Sequence, residues 1–376
     1  MKTIQLYTIS LLFMVSACGQ QKRNKESLDE KTLAFEYELI VPDVNVPWGM
    51  VFLPDGSMLI TERSGELIHF NPEASGGNKT KIENLPEIYV RGQGGLMDIE
   101  LHPNYKKNGW IYLTYASEAG EGEGGNTALM RAKLKNGSLV QKEILYKAEP
   151  NSTSGRHFGS RIEFDDKGYL FFTIGGRGKR ELNPQDITRD GGKTYRLNDD
   201  GSIPQDNPFV DEPNAKKAIF AYGQRNQQGM AMHPETGEIW IHEHGPMGGD
   251  EINIIKKGGN YGWPIITYGQ NYSGTEIDYP GAEPEMIEPI HYWVPSIAPS
   301  GMVFVTSEKY PHLQGNLLVG SLKFQYLEHD VLENGKVVKR EKLLEDIGRV
   351  RSIVQGPDGF IYIGVESLGV VRLVKK

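Results

Sequence analysis

The sequence MVFLPDGSMLITER (residues 50–63) contains two short apolar runs separated by a Pro-Asp-Gly turn. Short runs of β-branched and large apolar residues on either side of a glycine turn are typical of an antiparallel β-hairpin. Near the end of the chain, SIVQGPDGFIYIGVES (residues 352–367) has the same order of strand, turn and strand. One unit that recurs at both ends of a chain indicates a fold made of repeats.

Four more copies of the hairpin lie between these two, at residues 97–116, 160–175, 229–244 and 301–322. No long amphipathic helical pattern separates the copies. Six such hairpins predict an all-β fold, a six-bladed β-propeller of four-stranded antiparallel blades, in which each hairpin forms the inner part of a blade. Two β-sandwiches in tandem are the alternative. The turn glycines of the six copies are Gly56, Gly109, Gly168, Gly237, Gly315 and Gly359.

The two ends of the repeat region are predicted to share one blade. FEYELIV (residues 35–41) is a single strand pattern before the first hairpin, and GVVRLV (residues 369–374) follows the last. Pairing of these two strands would close the ring. Because no Pro/Ser-rich linker divides the region, residues 35–376 are expected to form one propeller domain.

The first residues have the features of an export signal. One lysine precedes an apolar run too short to cross a bilayer, and Val15-Ser16-Ala17-Cys18 resembles the site at which bacterial lipoproteins are cleaved and lipidated. We therefore expect a signal peptide at residues 1–17 and a lipidated Cys18 with a flexible polar tether at residues 18–34. The expected location is the cell envelope, on its periplasmic or outer-membrane side or at the cell surface. An ordinary signal peptide with a chance cysteine is the alternative.

The charge of the chain limits its partners. The formal net charge is −8 and no long basic run occurs, which argues against nucleic acid as a partner. Membrane contact is expected only through the lipid. Three polar stretches, residues 120–126, 175–208 and 268–300, are predicted insertions that gather at one rim and suit a sugar-sized or peptide-sized ligand.

Several polar residues lie at the ends of predicted strands, where catalytic and binding groups are common. His157, in GRHFGSRIEF, precedes a strand and could act as a general base there. Arg225 and Asn226 offer a guanidinium and an amide side by side. Arg349 and Arg351 are two residues apart and face the same side of a strand, and Lys323 adds a third cation. Cations that converge in an acidic chain predict an anionic ligand, although each alone could be a solvated surface residue.

Two metal hypotheses follow from the same region. His242 and His244 share a strand face and could begin a zinc site, but no third ligand with suitable spacing follows. Asp250 and Glu251, beside the carbonyl-rich turn Gly245-Pro246, instead suit calcium, which prefers hard oxygen ligands.

Nine motifs in order resemble the soluble quinoprotein glucose dehydrogenase and sorbosone dehydrogenase family, from about Pro47 to the C-terminus. The resemblance implies a six-bladed propeller that oxidises aldoses with pyrroloquinoline quinone (PQQ) and calcium. The motifs are VPWGMVFLPDGSMLITER, GQGGLMDIELHP, GRHFGSRIEF, YRLNDDGSIPQDNPF, YGQRNQQGM, EHGPMGGDEINIIKKGGNYGWP, SIAPSG, GSLK and GRVRSIVQGPDG.

Residue by residue, the resemblance implies that His157 takes the proton of the anomeric hydroxyl while hydride passes to the quinone and a lactone forms. Arg225 would stabilise charge on the quinone oxygen, where a calcium ion acts as a Lewis acid. The positions that match cofactor contacts are Gln93, Arg225, Asn226, Lys323, Arg349 and Arg351. The positions that match calcium ligands are the main-chain oxygens of Gly245 and Pro246 at the PQQ-bound ion, and Glu251 with Tyr261 at a second, structural ion.

The chain departs from the family pattern at two positions. Gly175-Gly176-Arg177 stands where the family often has an acid, and His244 replaces a glutamine found in some members. The predicted partners are an aldose and an electron acceptor that the sequence does not identify. Two other functions stay open at this point, a non-catalytic propeller that binds a glycan or a protein, and a calcium-dependent hydrolase of the lactonase type.

Overall fold

The computed structural model describes residues 34–72, 77–277 and 285–376. Within these residues the chain forms six four-stranded antiparallel sheets, each sheet one blade. The innermost strands of successive blades contact each other all the way round, so the sheets form a closed ring. The predicted six-bladed propeller is therefore confirmed, and the tandem sandwich is excluded.

Each of the six predicted hairpins supplies the two inner strands of one blade, as expected. Blade 1 contains β2 (Pro47–Phe52), β3 (Met58–Glu62), β4 (Glu66–Asn71) and β5 (Asn78–Lys81); blade 2 contains β6 (Leu96–Leu101), β7 (Trp110–Ser117), β8 (Asn126–Lys135) and β9 (Ser138–Lys147); blade 3 contains β10 (Ile162–Phe164), β11 (Leu170–Ile174), β12 (Lys193–Leu197) and β13 (Ile219–Tyr222). Blade 4 contains β14 (Gln227–Met232), β15 (Ile239–Glu243), β16 (Asp250–Ile254) and β17 (His291–Trp293); blade 5 contains β18 (Pro299–Phe304), β19 (Leu317–Ser321), β20 (Leu327–Glu333) and β21 (Lys336–Leu343); blade 6 contains β22 (Val350–Gln355), β23 (Ile361–Val365), β24 (Gly369–Lys375) and β1 (Phe35–Pro42). The one described helix, α1 (Tyr105–Asn108), lies in the turn between β6 and β7 and is far too short to cross a membrane.

The N-terminal strand closes the ring. β1 pairs antiparallel with β24, from Phe35 opposite Lys375 to Pro42 opposite Gly369. This pairing covers an edge of blade 6 that would otherwise expose free N–H and C=O groups. The shared blade predicted from the two chain ends is thus present.

The hairpin turns place one end of every inner strand on the same side of the ring. All six predicted turn glycines have a positive φ, between 68° and 84°, which glycine adopts without steric cost. In the first and last repeats an aspartate Oδ1 accepts a hydrogen bond from the N–H two residues later, at 3.0 Å for Asp55 and Ser57 and at 3.1 Å for Asp358 and Phe360. The other end of each inner strand therefore lies at the opposite rim.

Alternate side chains of an inner strand pack against the two neighbouring blades. In β3, Leu59 contributes to a buried cluster with Ile111 and Leu113 of blade 2. Ile60 faces the other way, into a buried cluster with Val370 of blade 6. Full burial of such a side chain stabilises the fold by about 1.5–3 kcal/mol. Because successive side chains of a strand point to opposite faces, apolar residues of one inner strand pack against both adjacent blades and hold them together.

Two of the stretches predicted as insertions contain blade strands. Residues 175–208 include β12, and residues 268–300 include β17. The interpretation of these stretches as pure insertions is therefore wrong. The predicted signal peptide at residues 1–17 and the lipidated tether at residues 18–34 lie outside the described residues, apart from Ala34.

Candidate active site

The predicted site residues gather at the rim opposite the hairpin turns. The loops before the inner strands carry Gln93, His157 and Arg225, and Arg349 immediately precedes β22. The second strand of a hairpin returns to this rim, so residues at or after its end, such as Glu366, lie there too. The loops at this rim thereby bring together side chains that are far apart in sequence.

A central cavity of about 410 Å³ opens at this rim. Its walls contain two of the predicted cations, Arg349 and Arg351, and both bind one carboxylate, that of Glu366, at 2.6 Å and 2.9 Å from their Nε atoms. Burial raises the pKa of Glu366, but the two guanidinium groups outweigh burial and hold it below its ordinary value. The polar and aromatic lining includes Arg63, Gln93, Phe158, Gln228, His244, Arg349, Arg351 and Glu366.

Positive charge in the central cavity exceeds negative charge. One carboxylate serves both Arg349 and Arg351, and burial lowers the pKa of Arg351 despite this partner. Lys323 is exposed at the end of β19, with its ammonium 5.0 Å from the ring of Phe324, and does not line the cavity. It lies beside the cavity, because the carbonyl of Leu322 accepts a 3.0 Å hydrogen bond from Nη1 of Arg349.

Arg225 and Asn226 face different surroundings. Arg225 is buried, its Nη1 donates to the carbonyl of His244 at 3.1 Å, and its guanidinium carbon lies 5.4 Å from the ring centre of Trp263. Burial lowers the pKa of Arg225. Asn226 is turned inward, where its Oδ1 accepts a 3.2 Å hydrogen bond from the N–H of Gly159. Arg225 thus reaches a cavity, whereas Asn226 holds the loop before β10.

His157 sits on that loop in a left-handed backbone conformation, with φ of 61°. Its N–H donates to Oε1 of Gln93 at 2.7 Å, and its carbonyl accepts from the N–H of Arg177 at 3.2 Å. Burial lowers the pKa of His157 well below 6.5, and the nearby charges of Arg225, His244, Arg156 and Arg177 lower it further. The imidazole is therefore held neutral, as a general base must be.

A second opening, the side cavity, has a volume of about 230 Å³ and contains His157 and Arg225 in its wall. Tyr272 Oη lies 3.5 Å from Nη2 of Arg225, and Trp263 adds a second aromatic surface. The base and the guanidinium therefore face one ligand-sized space. The remaining lining residues are Arg156, Gly176, Gly178, Lys179, Arg180, Glu181, Pro246 and Asn271.

The turn at Gly245 and Pro246 fits a cation that prefers carbonyl oxygens. The carbonyls of these two residues accept no hydrogen bond from the described residues. Asp250 fixes the turn, because its Oδ1 accepts from the N–H of Gly245 at 2.8 Å. A Cβ on Gly245 would lie 2.1 Å from the carbonyl oxygen of Gly249, so only glycine allows this close return of the chain.

A small acidic cavity of about 10 Å³ lies behind this turn, lined by Glu243, Glu251 and Tyr261 among others. Burial raises the pKa of Glu251 well above its ordinary value, and the neighbouring Glu243 raises it further. Burial likewise raises the pKa of Glu243 to about 7. The Tyr261 hydroxyl is used elsewhere, because it donates to the carbonyl of Ile254 at 2.7 Å. Two buried carboxylates beside a cavity of single-atom size suit one cation.

The zinc hypothesis finds no support in the described part of the chain. Nε2 of His242 lies 3.3 Å from the carbonyl of Gly301, and Nε2 of His244 lies 2.8 Å from that of Pro299. Residues 34–72, 77–277 and 285–376 contain no group of three or more His, Cys, Asp or Glu side chains placed to hold a metal. Both imidazoles therefore bind backbone carbonyls.

Sequence reasoning missed several residues of these cavities. Glu366, which pairs two arginines, ends a hairpin just as Glu62 and Glu243 do, and this recurrence was the available signal. Arg156 and Trp263 lie within the motifs GRHFGSRIEF and EHGPMGGDEINIIKKGGNYGWP but carry no signal of a binding role there, and Lys179 lies in none of the motifs. Only the folding of separate loops onto one opening brings them together.

Comparison with known proteins bears on the function of this site. The sequence profile of the glucose/sorbosone dehydrogenase family matches residues 44–372. The chain is 40% identical to the aldose sugar dehydrogenase YliI of Escherichia coli (strain K12) over 334 residues, which cover 87% of this chain and 88% of that protein. It is 33% identical to quinoprotein glucose dehydrogenase B of Acinetobacter calcoaceticus over 303 residues, 73% of this chain and 60% of that protein.

A solved structure shares the whole propeller. The crystal structure of the soluble aldose sugar dehydrogenase (Asd) from Escherichia coli in the apo-form superposes with a TM-score of 0.86 at 37% identity. The superposition covers 91% of this chain and 100% of that chain. The similarity therefore extends over the length of the propeller.

Proposed function

Because the chain belongs to the glucose/sorbosone dehydrogenase family, we propose that it is a PQQ-dependent aldose dehydrogenase that converts the anomeric hydroxyl of a sugar to a lactone. One observation carries the proposal. His157 and Arg225 line one cavity, beside a central cavity in which Arg349 and Arg351 share a single carboxylate. A neutral base next to a surplus of positive charge suits a redox cofactor that carries carboxylates.

The charges of the central cavity support PQQ. PQQ has three carboxylates, and Arg349, Arg351 and the adjacent Lys323 together carry more charge than Glu366 neutralises. The quinone cofactor is also in keeping with the name of the Acinetobacter calcoaceticus relative. These three cations would hold the carboxylates, and Asn226 would keep the loop before β10 in place.

His157 takes the proton of the anomeric hydroxyl in this proposal. The sugar loses two electrons and two protons, one proton to His157 and the other with the electron pair as hydride. When bound, PQQ supplies the acceptor of that hydride. His157 is suited to its role because burial and neighbouring cations keep its imidazole neutral.

Arg225 provides the electrostatic part of the mechanism. Its guanidinium lies in the wall of the side cavity, buried and already oriented by the carbonyl of His244. A donor fixed in a dry site stabilises negative charge that develops on a nearby oxygen without reorganising. Arg225 would therefore stabilise the transition state, in which negative charge develops on that oxygen, more than the uncharged ground state.

Calcium completes the proposed cofactor set, at two places. The free carbonyls of Gly245 and Pro246 would hold one ion, which would supply Lewis acid chemistry next to the cofactor. Glu251, in the acidic cavity that Tyr261 also lines, would hold a second, structural ion. The donor set of carboxylates and carbonyl oxygens is the one that calcium prefers.

We also propose that the protein is a lipoprotein of the cell envelope. The support is the sequence Val15-Ser16-Ala17-Cys18 and the polar segment that follows it. Cys18→Ser should prevent incorporation of labelled fatty acid and release the protein from membranes in fractionated cells. Unchanged membrane association of this variant would contradict the anchor.

Reconstitution tests the enzymatic proposal. The purified domain, loaded with PQQ and calcium, should reduce an artificial electron acceptor when aldoses are added. His157→Ala should lower kcat by about 10²–10⁴, the usual effect of losing a general base, with little change in the Kd for PQQ. His312→Ala is the matched control, because His312 is exposed in the turn between β18 and β19 at the far rim. Tight PQQ binding without turnover of any aldose would contradict the proposal.

A further inference from the structure

The side cavity next to His157 is lined by an unusual number of cations for an acidic protein. Three basic side chains, Arg156, Lys179 and Arg180, line it in addition to Arg225. Among the residues that the structure describes, the only acid in its wall is Glu181. A chain with a formal net charge of −8 thus directs a local surplus of positive charge at the space in front of its base.

One of these cations is already neutralised. Arg180 Nε donates to Oε1 of Glu181 at 2.6 Å, and Arg180 Nη1 donates to Oδ1 of Asn271 at 2.8 Å. Neither Arg156 nor Lys179 forms an ion pair with any residue in the described ranges. The surplus charge of the cavity therefore resides on Arg156, Lys179 and the buried Arg225.

Arg156 is held in place by the backbone beside it. A Cβ on Gly178 would lie 3.0 Å from Nε and 3.6 Å from Nη2 of Arg156, so the guanidinium packs where a side chain would otherwise be. Gly178 also has φ of 72°, a conformation that disfavours other residues. The carbonyl of Arg156 accepts a hydrogen bond from Nη1 of the buried Arg177. The backbone of Arg156 is thus held by Arg177, and its guanidinium packs beside Gly178.

The cofactor does not account for these cations. In the proposed function the carboxylates of PQQ are held by Arg349, Arg351 and Lys323, at the central cavity. Arg156 and Lys179 line the side cavity and are absent from the wall of the central one. Their surplus charge therefore faces the space left for the sugar.

We propose that the preferred substrate is an aldose that carries an anionic group, a carboxylate or a phosphate, at the end opposite its anomeric carbon. This inference rests on the proposed function. The anomeric hydroxyl lies at His157, and the anionic group binds Arg156 and Lys179, while Trp263 and Tyr272 offer apolar surfaces to the ring. Guanidinium and ammonium groups bind carboxylate and phosphate oxygens with charge-assisted hydrogen bonds. The oxidation itself is unchanged, with loss of a hydride to PQQ and a proton to His157 to give the lactone.

Steady-state kinetics of the PQQ- and calcium-loaded enzyme test this inference. The probes are D-glucose, D-glucuronate and D-glucose 6-phosphate, and the readout is the ratio of kcat/KM for each anionic sugar to kcat/KM for glucose. We expect a ratio of at least about ten at low ionic strength, falling as salt is added, for one of the two anions. The better anion identifies the group as carboxylate or phosphate.

A double variant tests whether Arg156 and Lys179 cause the preference for anionic sugars. Arg156→Gln with Lys179→Gln should reduce the ratio at least about tenfold, because both charges that select the anion are gone. Lys106→Gln with Lys107→Gln, on α1 at the opposite rim, removes the same charge and should leave the ratio unchanged. Raised Kd for PQQ with an unchanged ratio would assign the two cations to the cofactor and overturn the inference.

The outcomes separate this inference from the proposed function. Turnover of glucose with anion ratios near one would overturn only the substrate class. If neither glucose nor the two anionic sugars reduced the bound cofactor, the aldose dehydrogenase proposal itself would fail, together with the inference.

Discussion

The side-chain oxygen of Gln93 accepts a 2.7 Å hydrogen bond from the backbone N–H of His157, across the boundary between blades 2 and 3. The carbonyl of His157 is held as well, by the N–H of Arg177. Both peptide groups of a residue with φ of 61° are therefore fixed from outside. The imidazole is left to face the side cavity.

Replacement of Gln93 by leucine should slow the reaction by misplacing His157. One hydrogen bond contributes about 1 kcal/mol, so we expect kcat to fall about fivefold. Stopped-flow reduction of bound PQQ by sugar measures this step, and Gln314→Leu in the distant turn between β18 and β19 serves as the control. The resemblance assigns Gln93 to the cofactor, and a higher Kd for PQQ with normal kcat would support that role over positioning.

The pH dependence of kcat should reflect the cationic surroundings of His157. The base is active when neutral, and its pKa is lowered well below 6.5, so kcat should decline only at a pH well below 6.5. Gly176→Asp would place a carboxylate among these cations, and the nearest atoms to a Cβ there are 3.6 Å away, which leaves room. An anion favours the imidazolium form and raises the pKa of His157. The decline of kcat on the acidic side of the pH profile should therefore move to higher pH.

Gly176→Asn has the same shape without the charge and is the matched control for that shift. In Gly176→Asn, kcat should decline at the same acidic pH as in the unmodified enzyme. An equal shift in both variants would mean that side-chain volume, and not charge, sets the pH profile.

The fold could be predicted from the sequence because each blade depends on local patterns. The alternation in β3 and the turn glycines such as Gly56 are visible within a dozen residues, and the family was identified correctly from its motifs. β12 and β17 were overlooked as strands, because they are short and lie within polar, glycine-rich or proline-rich stretches. Short outer strands depend more on pairing with the neighbouring strand than on their own composition.

The site was only partly predictable. The sequence predicts the convergence of His157 and Arg225, because His157 directly precedes one predicted strand and Arg225 follows another. The pairing of Arg349 and Arg351 with Glu366 is not predictable in this way, because it depends on how β22 and β23 pair with each other at this end of blade 6. Contacts between blades depend on ring closure, which no local pattern encodes.

Calcium should bind to the cofactor-free protein at the acidic cavity. Two buried carboxylates, Glu243 and Glu251, repel each other there, so a divalent ion relieves that repulsion and stabilises the fold. Calcium at 100 times its Kd should add about 2.7 kcal/mol to the free energy of unfolding. Calorimetric titration should find one site without PQQ and two with it.

Glu251→Gln should abolish the site seen without PQQ and remove the stabilisation by calcium. Glu308→Gln, at an exposed position between β18 and β19, should change neither. Unaltered calcium binding by the Glu251 variant would place the ion elsewhere.

Arg161 links the blades at the centre of the ring and should dominate its stability. Its Nε donates to the carbonyl of Gln228 at 2.6 Å and its Nη2 to that of Arg351 at 3.0 Å, while Nη1 lies 3.3 Å from Oδ1 of Asp98. Arg161 and Asp98 are both buried. Loss of the cation would leave a buried carboxylate without its partner.

We expect Arg161→Met to lower the free energy of unfolding by about 3–5 kcal/mol, the usual effect of breaking a buried ion pair. Lys81→Met breaks the exposed pair with Glu66 and should cost at most about 1 kcal/mol. Urea denaturation of the cofactor-free domain measures both. The double variant Arg161→Met with Asp98→Leu removes the stranded charge and should be more stable than Arg161→Met alone. If the double variant were less stable than the single one, the hydrogen bonds that Asp98 accepts, including one from the N–H of Ile162 at 3.0 Å, would matter more than its charge.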